Sequence, residues 1–106
     1  MALIKKFNEK EDVWDIGLSG EIDIYNADEL KSAINRLIGE KEKSIVFNCD
    51  ELNYIDSTGL GVLAAAANRI KDYDGKVRII NLKPHIGKVF YLTGLTRIMD
   101  IEVSDE

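Results

Sequence analysis

The fold is decided by the stretch Asp56-Ser57-Thr58-Gly59-Leu60-Gly61-Val62-Leu63, where a strand pattern changes into a helix pattern. Residues 44–48 before it are β-branched and aromatic, which predicts a buried strand. After it, apolar residues recur at helical spacing at Leu60, Leu63, Ala67 and Ile70. Ser57 is therefore predicted on the first turn of a helix, where backbone N–H groups lack partners and the dipole is positive. Such a helix end can hold a phosphate.

Composition predicts a single cytoplasmic domain. The chain has 106 residues, 45% of them hydrophobic, and a formal net charge of -5, which disfavours direct contact with nucleic acid or anionic lipid. Its one cysteine, Cys49, excludes an intrachain disulfide and is predicted to be a small, half-buried apolar residue after a strand. No apolar run approaches the roughly 18 residues of a membrane span. Residues 1–6 turn polar too early for a secretion signal.

Periodicity and turn residues predict five strands and three helices. The strands are expected at 3–8, 13–19, 44–48, 76–81 and within 97–103. The helices are expected from Asn26 to a stop at Gly39, over about 57–73, and from Pro84 to a cap at Gly94. The fold class is α/β: one domain over residues 1–106, with a mostly parallel mixed sheet, an N-terminal β-hairpin and three crossover helices (β-β-α-β-α-β-α-β).

The first helix carries several start signals. Asn26 is predicted as the N-cap, with Glu29 completing a capping-box-like pair. Tyr25 and Leu30 are spaced as a hydrophobic staple. Loops at the carboxyl ends of parallel strands meet at one edge of the sheet, so residues 20–26, 50–59 and 82–85 should lie together. This places Asp23, Ser57 and Lys83 on a shared surface.

Two motifs together resemble a known family. Gly20-Glu21-Ile22-Asp23 with Ala27-Asp28-Glu29-Leu30, followed by the stretch at 56–63, resembles the bacterial anti-sigma factor antagonists of the STAS-domain family. The resemblance covers nearly the whole chain. Many relatives continue into a further helix after the last strand, whereas this sequence ends at Glu106.

The resemblance implies a function and a set of partners. Such domains bind an anti-sigma factor, a serine kinase of the histidine-kinase-like ATPase type, and so release a sigma factor. The kinase phosphorylates the serine matching Ser57, which inactivates the antagonist, and a metal-dependent phosphatase restores it. No cofactor is implied. The partner surface implied by the family comprises Asp23, Ile24, Tyr25, Asn26, Asp56, Ser57, Thr58, Gly59, Leu60, Gly61 and Val62.

Each of these residues also has a purely structural interpretation. Ser57 could simply cap its helix, in place of being a phosphorylation site whose added charge is accommodated by the helix dipole and free N–H groups. Gly59 and Gly61 could allow close approach of a kinase or tight packing on the sheet. Asp23 could be a turn residue or could pair with a basic partner residue.

Side chains elsewhere are assigned to faces of helices or to the core. Outward residues of the second helix could form an apolar strip for a partner, or a neighbouring helix could cover them: Val62, Ala65, Ala66 and Tyr73. Lys83 and His85 are interpreted as residues that flank a helix start. Trp14 and Phe90 are predicted in the core.

Enzymatic activity is not predicted. His85 is the only histidine, and Ile55 replaces the first glycine of a nucleophile-elbow pattern. One histidine and one cysteine cannot furnish a usual zinc site. The alternative function is a STAS scaffold or accessory subunit of a stress-signalling assembly or a membrane transport system.

Overall fold

The computed structural model describes residues 1–105 and has the predicted order of elements. The strands are β1 (Ala2–Asn8), β2 (Val13–Ile22), β3 (Ser44–Ile55), β4 (Val77–Leu82) and β5 (Asp100–Val103). The helices are α1 (Ala27–Glu40), α2 (Ser57–Lys71) and α3 (Pro84–Leu92), and a short 3-10 turn (Leu95–Arg97) precedes β5. The predicted fold class is confirmed.

The five strands form one sheet in chain order, β1-β2-β3-β4-β5. β1 and β2 pair antiparallel as the predicted hairpin, and all other pairs are parallel. Right-handed crossovers between sequential parallel strands bring every helix to the same face of the sheet. Along β2, the buried Trp14, Ile16 and Leu18 alternate with half-exposed residues, so one face of the strand points into the core. Phe90 of α3 is also fully buried, so both predicted core aromatics are confirmed.

α1 begins at the predicted place by a different mechanism. The Asn26 side chain makes no cap bond to the helix. It accepts the Asp23 N–H (3.0 Å) and donates to the Glu21 carbonyl (2.9 Å), because unpaired backbone groups of the preceding loop lie closer. The Asn26 N–H donates to the Asp23 carbonyl (3.2 Å), so the predicted capping box is wrong. Tyr25 is 94% exposed and cannot staple onto Leu30.

Two other local predictions are corrected. α1 passes through Gly39 and ends at Glu40, so Gly39 is not the stop. Cys49 lies inside β3 and is fully buried, not half-buried at a strand end. Burial raises the pKa of its thiol to about 12, which keeps it protonated and unreactive.

β2 and β3 are both longer than predicted. Their second halves pair with each other, and register shifts occur between Gly17 and Ser19 and between Gly20 and Glu21. Gly20 has φ +81°, which permits this irregularity. The pairing of β3 with β4 stops at Asn48 and Ile80. Within residues 1–105, the last part of β3 therefore runs towards Ser57 with β2 as its only strand neighbour.

Candidate functional site

Ser57 is the first residue of α2, and Asp56 caps the helix. The Asp56 Oδ1 accepts the N–H groups of Thr58 (3.0 Å) and Gly59 (3.1 Å) and the Thr58 hydroxyl (2.5 Å). Ser57 is exposed, and its hydroxyl makes no hydrogen bond within residues 1–105. The interpretation of Ser57 as a simple helix cap is therefore wrong. The Thr58 hydroxyl is therefore held by Asp56, whereas the adjacent Ser57 hydroxyl is available for modification.

The same cap changes the expected environment of a phosphate on Ser57. The N–H groups of Thr58 and Gly59 already bind the Asp56 carboxylate, so these two groups are not free to accommodate a phosphate. The helix dipole remains favourable. The adjacent residue, Asp56, is an anion at neutral pH. A phosphate on Ser57 would add charge at an exposed position that is already negative.

Asp56 also connects α2 to the loop at residues 23–26. Its N–H donates to the Ile22 carbonyl (3.1 Å). Donation from the Thr58 hydroxyl is the main reason that the pKa of the Asp56 carboxyl is lowered from 3.8. Desolvation raises this pKa, but backbone donation from Gly59, Thr58 and Ile24 lowers it further, so the net shift is downward. Asp56 therefore stays ionised at neutral pH and holds two segments of the candidate site together.

This pKa shift predicts an acid-dependent loss of stability. Because the folded-state pKa of Asp56 lies below its unfolded value of 3.8, the carboxylate stabilises the fold fully above that pH. The contribution is lost as the pH falls through the lowered pKa. We expect Asp56→Asn to reduce this acid dependence while leaving a polar cap in place. The urea unfolding midpoints of the wild-type protein and Asp56→Asn, measured from neutral to strongly acidic pH, test this prediction. If the two midpoints change in parallel with pH, the prediction is contradicted.

The loop at residues 23–26 presents two apolar side chains to solvent. The Asp23 carbonyl accepts the N–H groups of Asn26 and Ala27, and its Oδ1 accepts the Tyr25 N–H (3.0 Å). These bonds show the turn role of Asp23. They leave Ile24 67% and Tyr25 94% exposed.

The two glycines of α2 have different surroundings. A Cβ on Gly59 would lie 2.6 Å from the Ile22 Cγ2 and 2.8 Å from the Ile55 Cγ1, so Gly59 is required for packing on the sheet. Gly61 is exposed, and within residues 1–105 nothing beyond its chain neighbours and the adjacent backbone of α2 lies within 4 Å of its Cβ position. Tight packing therefore explains Gly59 only.

The predicted apolar strip along α2 is interrupted. Ala66 is buried, which favours the alternative that a neighbouring helix covers part of the strip. α1 packs alongside α2, and the Arg69 guanidinium of α2 donates to the Asn35 amide oxygen of α1 (2.7 Å). Ala65 is exposed, and Val62 is half-buried against the core. Only the N-terminal part of the strip is open to a partner.

Lys83 joins residues 82–85 to the 50–59 segment, as predicted, through bonds to β3. Its ammonium donates to the carbonyls of Asp50 (3.1 Å) and Leu52 (3.4 Å) and to the Asn53 side-chain oxygen (2.8 Å). These acceptors lie on β3 beyond its last pairing with β4. Lys83 thus takes the place of a strand partner there. Asp23 and Ser57 belong to neighbouring segments joined through Asp56, as predicted.

Replacing Lys83 should loosen the part of β3 that leads to Ser57. We expect Lys83→Met to lower the free energy of unfolding by about 1–2 kcal/mol, because three acceptors lose a charged donor at a partly solvated position. Lys88→Met is the matched control, because Lys88 is exposed on α3 without an ion pair in the described chain. Urea unfolding measures the difference, and equal stability of the two variants would refute the role.

Tyr54 is a candidate surface residue that the sequence analysis missed. It is half-exposed, lies two positions before Asp56 and pairs with Glu21 across the sheet. The one feature of the sequence that indicates it is the presence of an aromatic residue in a mostly polar segment just before Asp56.

Comparison with known proteins decides the family. Residues 5–105 match the family model described as the STAS domain. The chain belongs to the STAS domain family. The resemblance carried by the two sequence motifs is thereby confirmed, over almost the full length of the chain.

Individual relatives of this STAS domain are anti-sigma factor antagonists. The anti-sigma-B factor antagonist of Staphylococcus aureus is 27% identical over 93 residues, which cover 88% of this chain and 86% of the relative. The unphosphorylated anti-sigma factor antagonist SpoIIAA has the same fold, with a TM-score of 0.80 and 24% identity over 94% of this chain and 87% of its own. The Bacillus cell fate determinant SpoIIAA in its phosphorylated form has a TM-score of 0.73 and 25% identity, covering 94% and 90%.

No helix within residues 1–105 is both long and apolar enough to cross a membrane.

Proposed function

We propose that this STAS domain is a cytoplasmic anti-sigma factor antagonist controlled by phosphorylation of Ser57. In the unphosphorylated form it binds an anti-sigma factor that is a serine kinase of the histidine-kinase-like ATPase type, and so releases a sigma factor. The kinase modifies Ser57, and a metal-dependent serine phosphatase reverses the modification. The observation that carries the proposal is the exposed, unbonded Ser57 hydroxyl beside a Thr58 hydroxyl held by Asp56.

The proposed docking site, here called the Ser57 surface, consists of residues 23–26 and 56–62. Ile24 and Tyr25 supply exposed apolar area, as expected at the centre of an interface. Asp23 and Asp56 supply negative charge for pairing with basic partner residues. The two segments are adjacent because the Asp56 N–H donates to the carbonyl of Ile22, directly before residue 23.

The first test identifies the modified residue. The domain is incubated with its cognate anti-sigma factor kinase and ATP, and the phosphate is mapped by mass spectrometry. We expect one phosphate on Ser57, none on Ser57→Ala, and unchanged labelling of Thr58→Val. Labelling of Thr58 with Ser57 unmodified would refute the assignment. If proteins isolated with the domain from native lysate are scaffold or transporter components and not a kinase, the alternative STAS function is favoured.

Val62 tests the contribution of α2 to docking. We expect Val62→Glu to weaken partner binding by about a hundredfold, because a carboxylate enters an apolar contact next to Ser57. Because Val62 is half-buried against the core, a small loss of thermal stability should accompany it. Asn68→Glu, at an exposed position further along α2, is the control and should bind normally. Unchanged affinity of Val62→Glu by calorimetry would exclude the contact.

A further inference from the structure

A second exposed apolar surface lies on α3 and the 3-10 turn. Its members, here called the basic surface, are Lys88, Val89, Tyr91, Leu92, Arg97 and Ile98. Leu92 is 78% exposed. No acidic residue occurs in the sequence between Lys83 and Met99, although the whole chain carries a net charge of -5. In space, Asp74 and Asp100 line a cavity together with Arg97 and Ile98, so the positive charge is concentrated on the α3 side of this surface. Within residues 1–105, neither Lys88 nor Arg97 has an ion-pair partner.

The acidic residues that complement this positive charge lie at the end of β2 and the start of α1. The acidic surface consists of Glu21, Asp23, Ile24, Tyr25, Asp28 and Glu29. No lysine or arginine occurs between Lys10 and Lys31, and none of these carboxylates has an ion-pair partner within residues 1–105. Its centre is apolar, since Ile24 and Tyr25 are mostly exposed. Each surface therefore combines exposed apolar side chains with charged residues, which are positive on the basic surface and negative on the acidic surface.

We propose that a second copy of this chain docks its acidic surface onto the basic surface of the first. Burial of Leu92 against Ile24 and Tyr25 would remove apolar area from water, and Lys88 and Arg97 would gain carboxylate partners. Arg97 could also stack on the Tyr25 ring. Docking of two basic surfaces on each other would bring like charges together, so the contact is head-to-tail. The dimer therefore keeps one free acidic surface and one free basic surface.

Such association would cover residues 23–25, which also belong to the Ser57 surface. Self-association and partner binding would then exclude each other, a consequence that rests on the proposed function. The association itself does not rest on it, because it needs no kinase and no phosphate. Its test uses the purified chain alone.

Sedimentation velocity of the full chain, from micromolar to millimolar concentration, tests the association. We expect the weight-average sedimentation coefficient to rise with concentration and to fall with added salt, since the contact joins exposed charges. Lys88→Glu and Asp28→Lys should each weaken association by roughly tenfold or more. Circular dichroism confirms that both variants are folded, as expected for substitutions at exposed positions.

A mixture of the two variants gives the decisive result. Lys88→Glu retains an intact acidic surface, and Asp28→Lys retains an intact basic surface, so an equimolar mixture should associate although each variant alone associates weakly. A wild-type chain that stays monomeric at millimolar concentration, or a mixture that fails to dimerise, overturns the proposal. Binding of the monomeric chain to phosphatidylglycerol vesicles, lost in Lys88→Glu, would overturn it in favour of a lipid surface.

Discussion

Phosphorylation of Ser57 should lower the affinity of this domain for the proposed anti-sigma partner by about a hundredfold or more. The modification adds about -1.5 to -2 charges. These charges are added beside the ionised Asp56, whose lowered pKa keeps it negative at neutral pH. A partner that fits the neutral hydroxyl would have to desolvate a dianion next to a second anion. Calorimetric titration of the phosphorylated and unphosphorylated domain with the partner measures the loss.

The matched controls separate charge from shape. Ser57→Ala should bind the partner normally and lose the response to the kinase, because the hydroxyl has no bond within the described chain to lose. Ser57→Asp adds less charge than a phosphate and should weaken binding less. Thermal unfolding of the phosphorylated domain should stay close to that of the unmodified domain, since the α2 dipole still favours an anion. Equal affinity of both forms would exclude the switch.

The order of elements could be predicted from the sequence because the relevant signals are local. Alternation in β2 and the helical spacing of Leu60, Leu63, Ala67 and Ile70 depend on one segment at a time, and burial confirms them. The length of β3 could not be predicted in this way. Residues 48–53 are mostly polar and resemble a loop, yet they form a strand because β2 pairs with them.

Side-chain partners at the site were harder to predict than side-chain positions. Asn26 stands where a cap was expected, but the Glu21 and Asp23 backbone groups compete for its amide. Lys83 stands at the expected helix start, and its acceptors lie some thirty residues earlier on β3. Local sequence cannot rank such competitors, because the outcome depends on distances that only the assembled sheet sets.

The two glycines of α2 should give opposite results when each is replaced by alanine. Gly59→Ala forces a Cβ into Ile22 and Ile55 and should lower the free energy of unfolding by about 1–3 kcal/mol. Gly61→Ala meets open space and should raise it by up to about 1 kcal/mol, because alanine is the better helix former. Urea unfolding of both variants measures the two effects.

Partner binding then decides why Gly61 is a glycine. If the partner approaches the backbone closely one turn from Ser57, Gly61→Ala should bind about tenfold or more weakly although its fold is more stable. Gly59→Ala, titrated under conditions where it is fully folded, should retain more of its affinity, because its added methyl group points into the sheet. Loss of binding with gain of stability cannot arise from partial unfolding. A Gly61→Ala domain that is more stable and binds normally would exclude close approach at this position.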